Sequence, residues 1–541
     1  MNPVPRDLRR LAAIADRSDG DTAAEKLALV RRLAKATLPS AASVLRLHEL
    51  LCRLRAYPDD REILDAVERA LVAFPRRRDL ARHREALGDS GLAGTAIRYR
   101  FFWPMARWLA SRWPDRLRYD RRAPDPEPRL RAALPALLPA VAAEAAKRFD
   151  GSAWATLDRL RGRATDAAYL VGRLASLEAG PGPKEALHDG IDAAYVLEAG
   201  PGAPSRTLAR LPGGTASFGR GAHAGRRPDL VTEMRRPPHA VRAVPPREAE
   251  RLIDLAREAM VTRSRDLDAF AWGNPGDVRV VDDGDGLRFV LIGMLPDRRL
   301  PLPAAYGWLT VRNGVPIGYV QTDVLLSAAE VAFNTFPTYR GLDAARVFSR
   351  VLAVSRAVFG ARAFSIEPYQ LGHGNAEGIE SGAWWFYRKL GFRPKDPEVR
   401  AIESRERDRL RRNPGHRSTA PTLEALAASH LYFEPEPGTR AWVARAPRLG
   451  LALDPGAGDR AQAACGVRSF RGWSATERAW WSRLAPVVAS LPGMDAWTPA
   501  QRRALAAVVR AKAARRETAF LDALDAHPRA GAALAARLAR A

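Results

Sequence analysis

The dipeptide Asn313-Gly314 constrains what this chain can fold into more than any other pair of residues in it. It stands between two apolar-rich runs, Tyr306 to Val311 and Val315 to Val320. Both central residues of a type I′ turn need positive φ, which Asn and Gly tolerate, so the segment predicts a β-hairpin. Ala329 to Phe336 reads as the next strand. After Pro337 to Ala345 comes a helix whose apolar positions Ala344, Val347, Phe348, Val351, Leu352 and Phe359 recur at helical spacing, and Gly360 closes it. Ala363 to Ile366 predicts another short strand, and Ser381 to Leu390 another helix ending at Gly391-Phe392. A mixed α/β domain over about 247–395 follows from this pattern.

The flanks read differently. A chain of 541 residues exceeds what one core can fill, so two to four domains are expected. With 47% hydrophobic and 27% charged residues it has the composition of a folded chain rather than a disordered one. Residues 1–197 read as a helical domain, with amphipathic runs at about 22–37, 40–55, 128–148 and 164–178. Asp59 has the capping-box spacing to Glu62 ahead of Ile63, Val67, Leu71 and Phe74. Phe101 to Trp113 reads as an aromatic helix of the core. Gly88 to Thr95 lacks the Lys-Ser/Thr of a phosphate loop and reads as a helix stop with Thr95 starting the next helix. Residues 198–246 read as a Pro/Gly/Arg-rich linker. Residues 396–541 read as a mostly helical extension that includes Trp480, Trp481, Leu484 and Val488. The expected class is α+β and multidomain: a helical N-terminal region, a central mixed β-sheet with flanking helices, and a helical C-terminal region.

A net charge of +25 invites a nucleic-acid reading. Yet only seven of the 86 basic residues are Lys, and the Arg residues alternate with acids, as in Ser404-Arg405-Glu406-Arg407-Asp408. Nucleic-acid surfaces show clustered basic stripes with stacking aromatics, so the charge reads first as compositional bias, with nucleic acid kept as a possible partner. Cys52 and Cys465 stand alone, so neither a disulfide framework nor a metal site is expected. No apolar leader and no stretch of about 18 apolar residues is present, and a cytoplasmic protein without a membrane span is expected. Nothing in the sequence fixes the oligomeric state.

The run Pro337-Thr338-Tyr339-Arg340-Gly341-Leu342-Asp343-Ala344-Ala345 and the later Tyr387-Arg388-Lys389-Leu390-Gly391-Phe392 resemble the two signatures of GNAT-type acyl-CoA N-acyltransferases, in the family's order. The first is a strand, an Arg/Gln-x-x-Gly-x-Gly/Ala loop, and a helix whose N-terminal amides cradle the CoA diphosphate. Free N–H groups and the positive end of a helix make such an anion site. The resemblance covers about residues 245–395. It implies that acetyl-CoA or another acyl-CoA is bound by Arg340, Gly341, Leu342, Asp343, Ala344, Ala345 and Arg346. It also implies that Phe333, Thr335 and Phe336 lie on a strand, Val331 to Phe336, that splays from its neighbour to receive pantetheine. Asp343 stands where the family has a central glycine, and Arg340, Arg346 and Arg350 are the residues that could offset its charge. The spacing between the two signatures is long, with the excess in Glu367 to Gly382.

The implied reaction is direct transfer of an acyl group, acetyl first, to an amine within a ternary complex. Tyr387 takes the place of the acid that protonates the leaving thiolate. Glu330, Glu367, His373 and Glu380 are all candidates for the base, with Glu330 and Glu367 the first choices. The alternative is a non-catalytic GNAT-like module that recognises a protein or nucleic acid.

Overall fold

The structure, a computed structural model, describes residues 3–17, 20–122, 126–147, 151–219, 227–341, 343–449 and 455–540. It is α+β, with a nine-stranded mixed sheet flanked by helices. Two compact units divide the chain: Met1–Arg220 with Arg251–Ala271 and Arg312–Pro316, and Gly221–Glu250 with Trp272–Val311 and Ile317–Ala541.

The first unit is built on amphipathic helices, among them Gly20–Lys35, Ala41–Ala56 and Arg61–Ala73, which bury Leu29, Leu33, Val44, Leu47, Ile63, Val67 and Leu71. Asp60, not Asp59, caps the last of these, its Oδ1 accepting the Ile63 N–H at 2.8 Å. The helix starts at Arg61, so a three-residue reach to Ile63 belongs to Asp60. Asp59 lies 2.8 Å from the buried Lys26 Nζ instead. The unit is also not wholly helical. Tyr195–Leu197 runs between Ile97–Tyr99 and Leu117–Tyr119 in an antiparallel sheet. Three-residue strands are too short to show alternation, which is why the sequence hides them. Thr95 leads into the first of these strands rather than into a helix, and its hydroxyl donates to Leu92 O at 2.8 Å. Phe101, Trp103, Met105 and Leu109 are buried, as an aromatic core helix requires.

The sheet of the second unit comprises β1 (Ala240–Ala243), β2 (Gly273–Gly284), β3 (Leu287–Met294), β4 (Ala304–Arg312), β5 (Val315–Leu325), β6 (Ala328–Thr335), β7 (Ala363–Ile366), β8 (Arg393–Pro394) and β9 (Leu431–Phe433). Their spatial order is β8-β9-β7-β6-β5-β4-β3-β2-β1. Asn313 and Gly314 take φ of +48° and +82°, the double positive that the β4–β5 turn predicts; the turn is grouped with the first unit. Leu326 and Ser327 do the same between β5 and β6 (φ +50° and +57°), a turn those residue types do not announce.

Helices α1 (Leu230–Arg235), α2 (Ala344–Phe359) and α3 (Ala383–Leu390) belong to this unit, and α2 carries the chain from β6 to the parallel β7. The stretch 198–246 is more than a linker, because its described part supplies α1 and edge strand β1. Arg350, 1% exposed on α2, binds Asp283 at 2.7 and 2.8 Å and donates to Glu233 O and Arg236 O at the end of α1. The unit's sheet also reaches past residue 395, since β9, from the C-terminal stretch, slots between β7 and β8. Residues 251–271, by contrast, group with the first unit.

Among the described residues no helix is long and apolar enough to cross a membrane.

Candidate functional site

β6 pairs with β5 along its whole length, from Leu325↔Ala328 to Gly318↔Thr335. With β7 it pairs only from Ala328↔Ala363 to Glu330↔Ser365. β9 pairs along the other edge of β7, from Phe364↔Phe433 to Ile366↔Leu431, where β7 ends. From Val331 onward β6 therefore presents an open edge, and the two parallel strands part at Glu330.

Acids gather where they part. Asp323 on β5 lies directly across from Glu330 on β6, which lies across from Ser365 on β7, so strand register alone puts the three on one face. Glu330 Oε2 accepts from Ser365 Oγ at 2.9 Å and stands 3.2 Å from His430 Nε2. Gln321 Nε2 donates to Asp323 Oδ1 at 3.1 Å. Burial pushes the Asp323 carboxyl up to about 7, and the carboxylates of Glu330 and Glu367 push the same way. Burial also raises Glu367, with Glu330 adding to the rise and His430 opposing it. Glu330 and His430 are each about one-fifth exposed, so solvent reaches the pair.

The other face of β6 carries Tyr387. Phe333, three residues beyond Glu330 and so on the opposite face, packs on Phe348 and Phe386 with ring centroids 5.5 and 6.4 Å apart. Tyr387 is 3% exposed, and its ring meets Phe348 at 5.2 Å and Phe392 at 5.9 Å. Burial pushes its phenol well up, while a hydrogen bond from the Phe333 backbone pulls the other way. That bond brings the hydroxyl to the β6 main chain within the segment β7 leaves unpaired.

Beyond β6, Phe336 is buried and Thr335 half-buried, with Thr335 O receiving Arg340 Nε at 3.4 Å. Gly341 is exposed at φ +79°, with open space where a Cβ would point, so a ligand can lie against this backbone. Leu342 lies outside the described residues. Asp343 is the N-cap of α2, but its carboxylate does not close on the helix amides as the Asp60 carboxylate does on its own helix. Ala344 and Ala345 are half-exposed in the first turn. The exposed Gly341 backbone and the start of a 16-residue helix suit an anion, and the Asp343 carboxylate opposes one. The arginines are less available than the sequence suggests. Arg340 pairs with Glu377, Arg346 with Asp285, and Arg350 is committed to Asp283.

The structure thus brings Glu330 and Glu367 together and leaves His373 and Glu380 exposed on the 367–382 segment. It adds Asp323 and His430. Asp323 sits inside an apolar strand whose alternation signals only a face. His430 is 100 residues from Glu330 in sequence, and only the return of β9 joins them. The 16 residues of Glu367 to Gly382 fold into short helices, Pro368–Leu371 and Ala376–Ser381. Among the described residues no group of His, Cys, Asp and Glu is arranged to hold a metal ion.

Compared with family models, with curated proteins and with solved structures, the chain matches none.

Proposed function

We propose that this chain is an acyl-CoA-dependent N-acyltransferase of GNAT type, moving an acyl group, acetyl first, to an amine within a ternary complex. The observation that carries the reading is the parting of β6 and β7 at Glu330, with the Glu330–His430 pair on one face of β6 and the Tyr387 hydroxyl at the open edge beyond. The acyl-CoA supplies an activated carbonyl; two protons must leave the acceptor nitrogen and one must reach the departing sulfur. Glu330 takes a proton from the acceptor ammonium, and the freed amine nitrogen attacks the thioester carbon. His430, 3.2 Å away, accepts that proton from Glu330 and releases it to water. As the C–S bond breaks, the departing thiolate takes the phenol proton of Tyr387, and the second proton that the nitrogen sheds as the amide forms restores the phenol. Burial keeps that phenol protonated until it is needed. The crowded acids Asp323 and Glu367 favour an incoming cation, because their own ionisation is opposed by burial and by each other's neighbours.

Titration calorimetry with acetyl-CoA and longer acyl-CoAs tests the donor; no heat at millimolar ligand from folded protein removes the reading. Release of free CoA thiol in the presence of a panel of primary amines tests the transfer, and Tyr387→Phe should slow it about 100-fold with little change in acyl-CoA affinity.

A second reading, a binding module without catalysis, is favoured by one observation: Arg340 and Arg346 already hold carboxylates where a diphosphate would lie. A salt-sensitive nucleic-acid shift without acyl-CoA binding would favour it.

A further inference from the structure

The 367–382 segment is structured rather than slack. Asn375 Oδ1 accepts the Gly378 N–H at 3.2 Å, and its Nδ2 donates to Tyr369 O at 2.9 Å. Gly372 takes φ +121°, and a Cβ built on Gly378 would stand 2.9 Å from the Gly372 Cα. Two main-chain stretches therefore touch with no room for a side chain between them, which fixes the helix Ala376–Ser381 in one place. That helix carries Glu377 to the guanidinium of Arg340, the residue that opens the loop ahead of α2.

A carboxylate and a phosphate offer a guanidinium the same kind of paired oxygens, so both compete for one Arg. Arg340 and Glu377 are 41% and 39% exposed, and exposed pairs are weak enough for a more highly charged anion to displace. We infer that Glu377 sets this chain's affinity for its anionic donor, holding Arg340 in the free protein and yielding it to the donor's diphosphate, an inference that rests on the acyltransferase reading above. Arg346 with Asp285 repeats the arrangement on the first turns of α2. Because the Asn375 hydrogen bonds and the Gly372–Gly378 approach hold its helix, Glu377 leaves by a side-chain rotation and remains near the bound anion. It therefore weakens binding twice, by competing for Arg340 and by repelling the ligand's charge.

Calorimetry on the full chain with CoA and with pantetheine, which lacks the phosphates, separates this from a structural role. Glu377→Gln should bind CoA about three- to tenfold more tightly and leave pantetheine unchanged. In an Arg340→Gln background the same change should bring a smaller gain, the part due to relieved repulsion alone, because the contested group is gone. Equal CoA affinity in the wild type and Glu377→Gln overturns the inference and leaves the acyltransferase reading standing. So does a gain that persists in full without Arg340. Absence of CoA binding by every variant removes both.

Discussion

At Glu517 a buried carboxylate meets a full set of cations, whereas Glu330 and Glu367, in the same unit, share a single histidine. Glu517 is fully buried, 2.6 Å from Lys512 Nζ and 3.8 Å from Arg299 Nε. Its own N–H donates to Asp277, which also receives the Tyr306 hydroxyl at 2.7 Å. Arg299 and Lys512 spend their remaining donors on the carbonyls of Leu302, Pro303, Lys512, Ala514 and Arg515. Such a network costs much to bury and leaves nothing over for a ligand; it ties the C-terminal helices to the sheet. Around Glu330 the acids are partly open to solvent and lean on His430, Ser365 and Gln321. In a chain with 86 Lys and Arg, acids that draw on so little cationic charge mark the place where the fold has kept a deficit of it. The lesson is that buried charge alone does not mark a site; imbalance does.

Substituting matched residues should break the comparison or sharpen it. Glu517→Gln leaves Lys512 and Arg299 buried without their counter-charge. It should cost about 3–5 kcal/mol, read as a lowered midpoint in urea denaturation followed by a probe in the second unit. Glu330→Gln should lower acyl transfer by about 100- to 1,000-fold while the denaturation midpoint holds. A midpoint that falls as far as that of Glu517→Gln would make the Glu330 cluster structural too.

Asp323→Asn carries the opposite sign. The folded chain keeps the Asp323 proton up to about pH 7, whereas the unfolded chain releases it near pH 4. Between those values the folded state binds more protons, so its stability falls as pH rises through that window and stays low above it. The amide removes that penalty. It should stabilise the unit at pH 8 by on the order of 2 kcal/mol and change little at pH 4. Destabilisation at pH 8 would instead mean that the carboxylate is held by a charge partner. Arg340→Gln comes last: its exposed pair should be worth less than about 0.5 kcal/mol of stability, so melting stays put whatever happens to ligand binding.

Much of the second unit was legible in the sequence because its signals are local. Gly360 closes α2 in the left-handed region, and the apolar spacing of Val347, Phe348, Val351 and Leu352 gives a buried helix face; the Asn313-Gly314 turn, grouped with the first unit, is read from its need for positive φ in the same way. Glu330, Glu367 and Tyr387 could be named as candidates by type and position. The boundaries were harder. β1 lies in a stretch that reads as linker, and β9 in one that reads as helical extension, because strands of four and three residues carry too few positions to display a period. Asp59 reads as a cap because Glu62 stands three residues on; the helix starts at Arg61, so Asp60 caps it and Asp59 turns to Lys26.

What the sequence determined by itself is the order of the elements from β4 to α3 and the residue types at the open end of β6, since turn geometry and helical period act over a few residues. Tertiary structure decided which of those residues meet. Strand register set Asp323, Glu330 and Ser365 side by side, and the return of β9 delivered His430 across 100 residues. The structured insertion gave Arg340 to Glu377. Coulomb energy depends on separation in space and on the surrounding dielectric, and neither can be read along the chain.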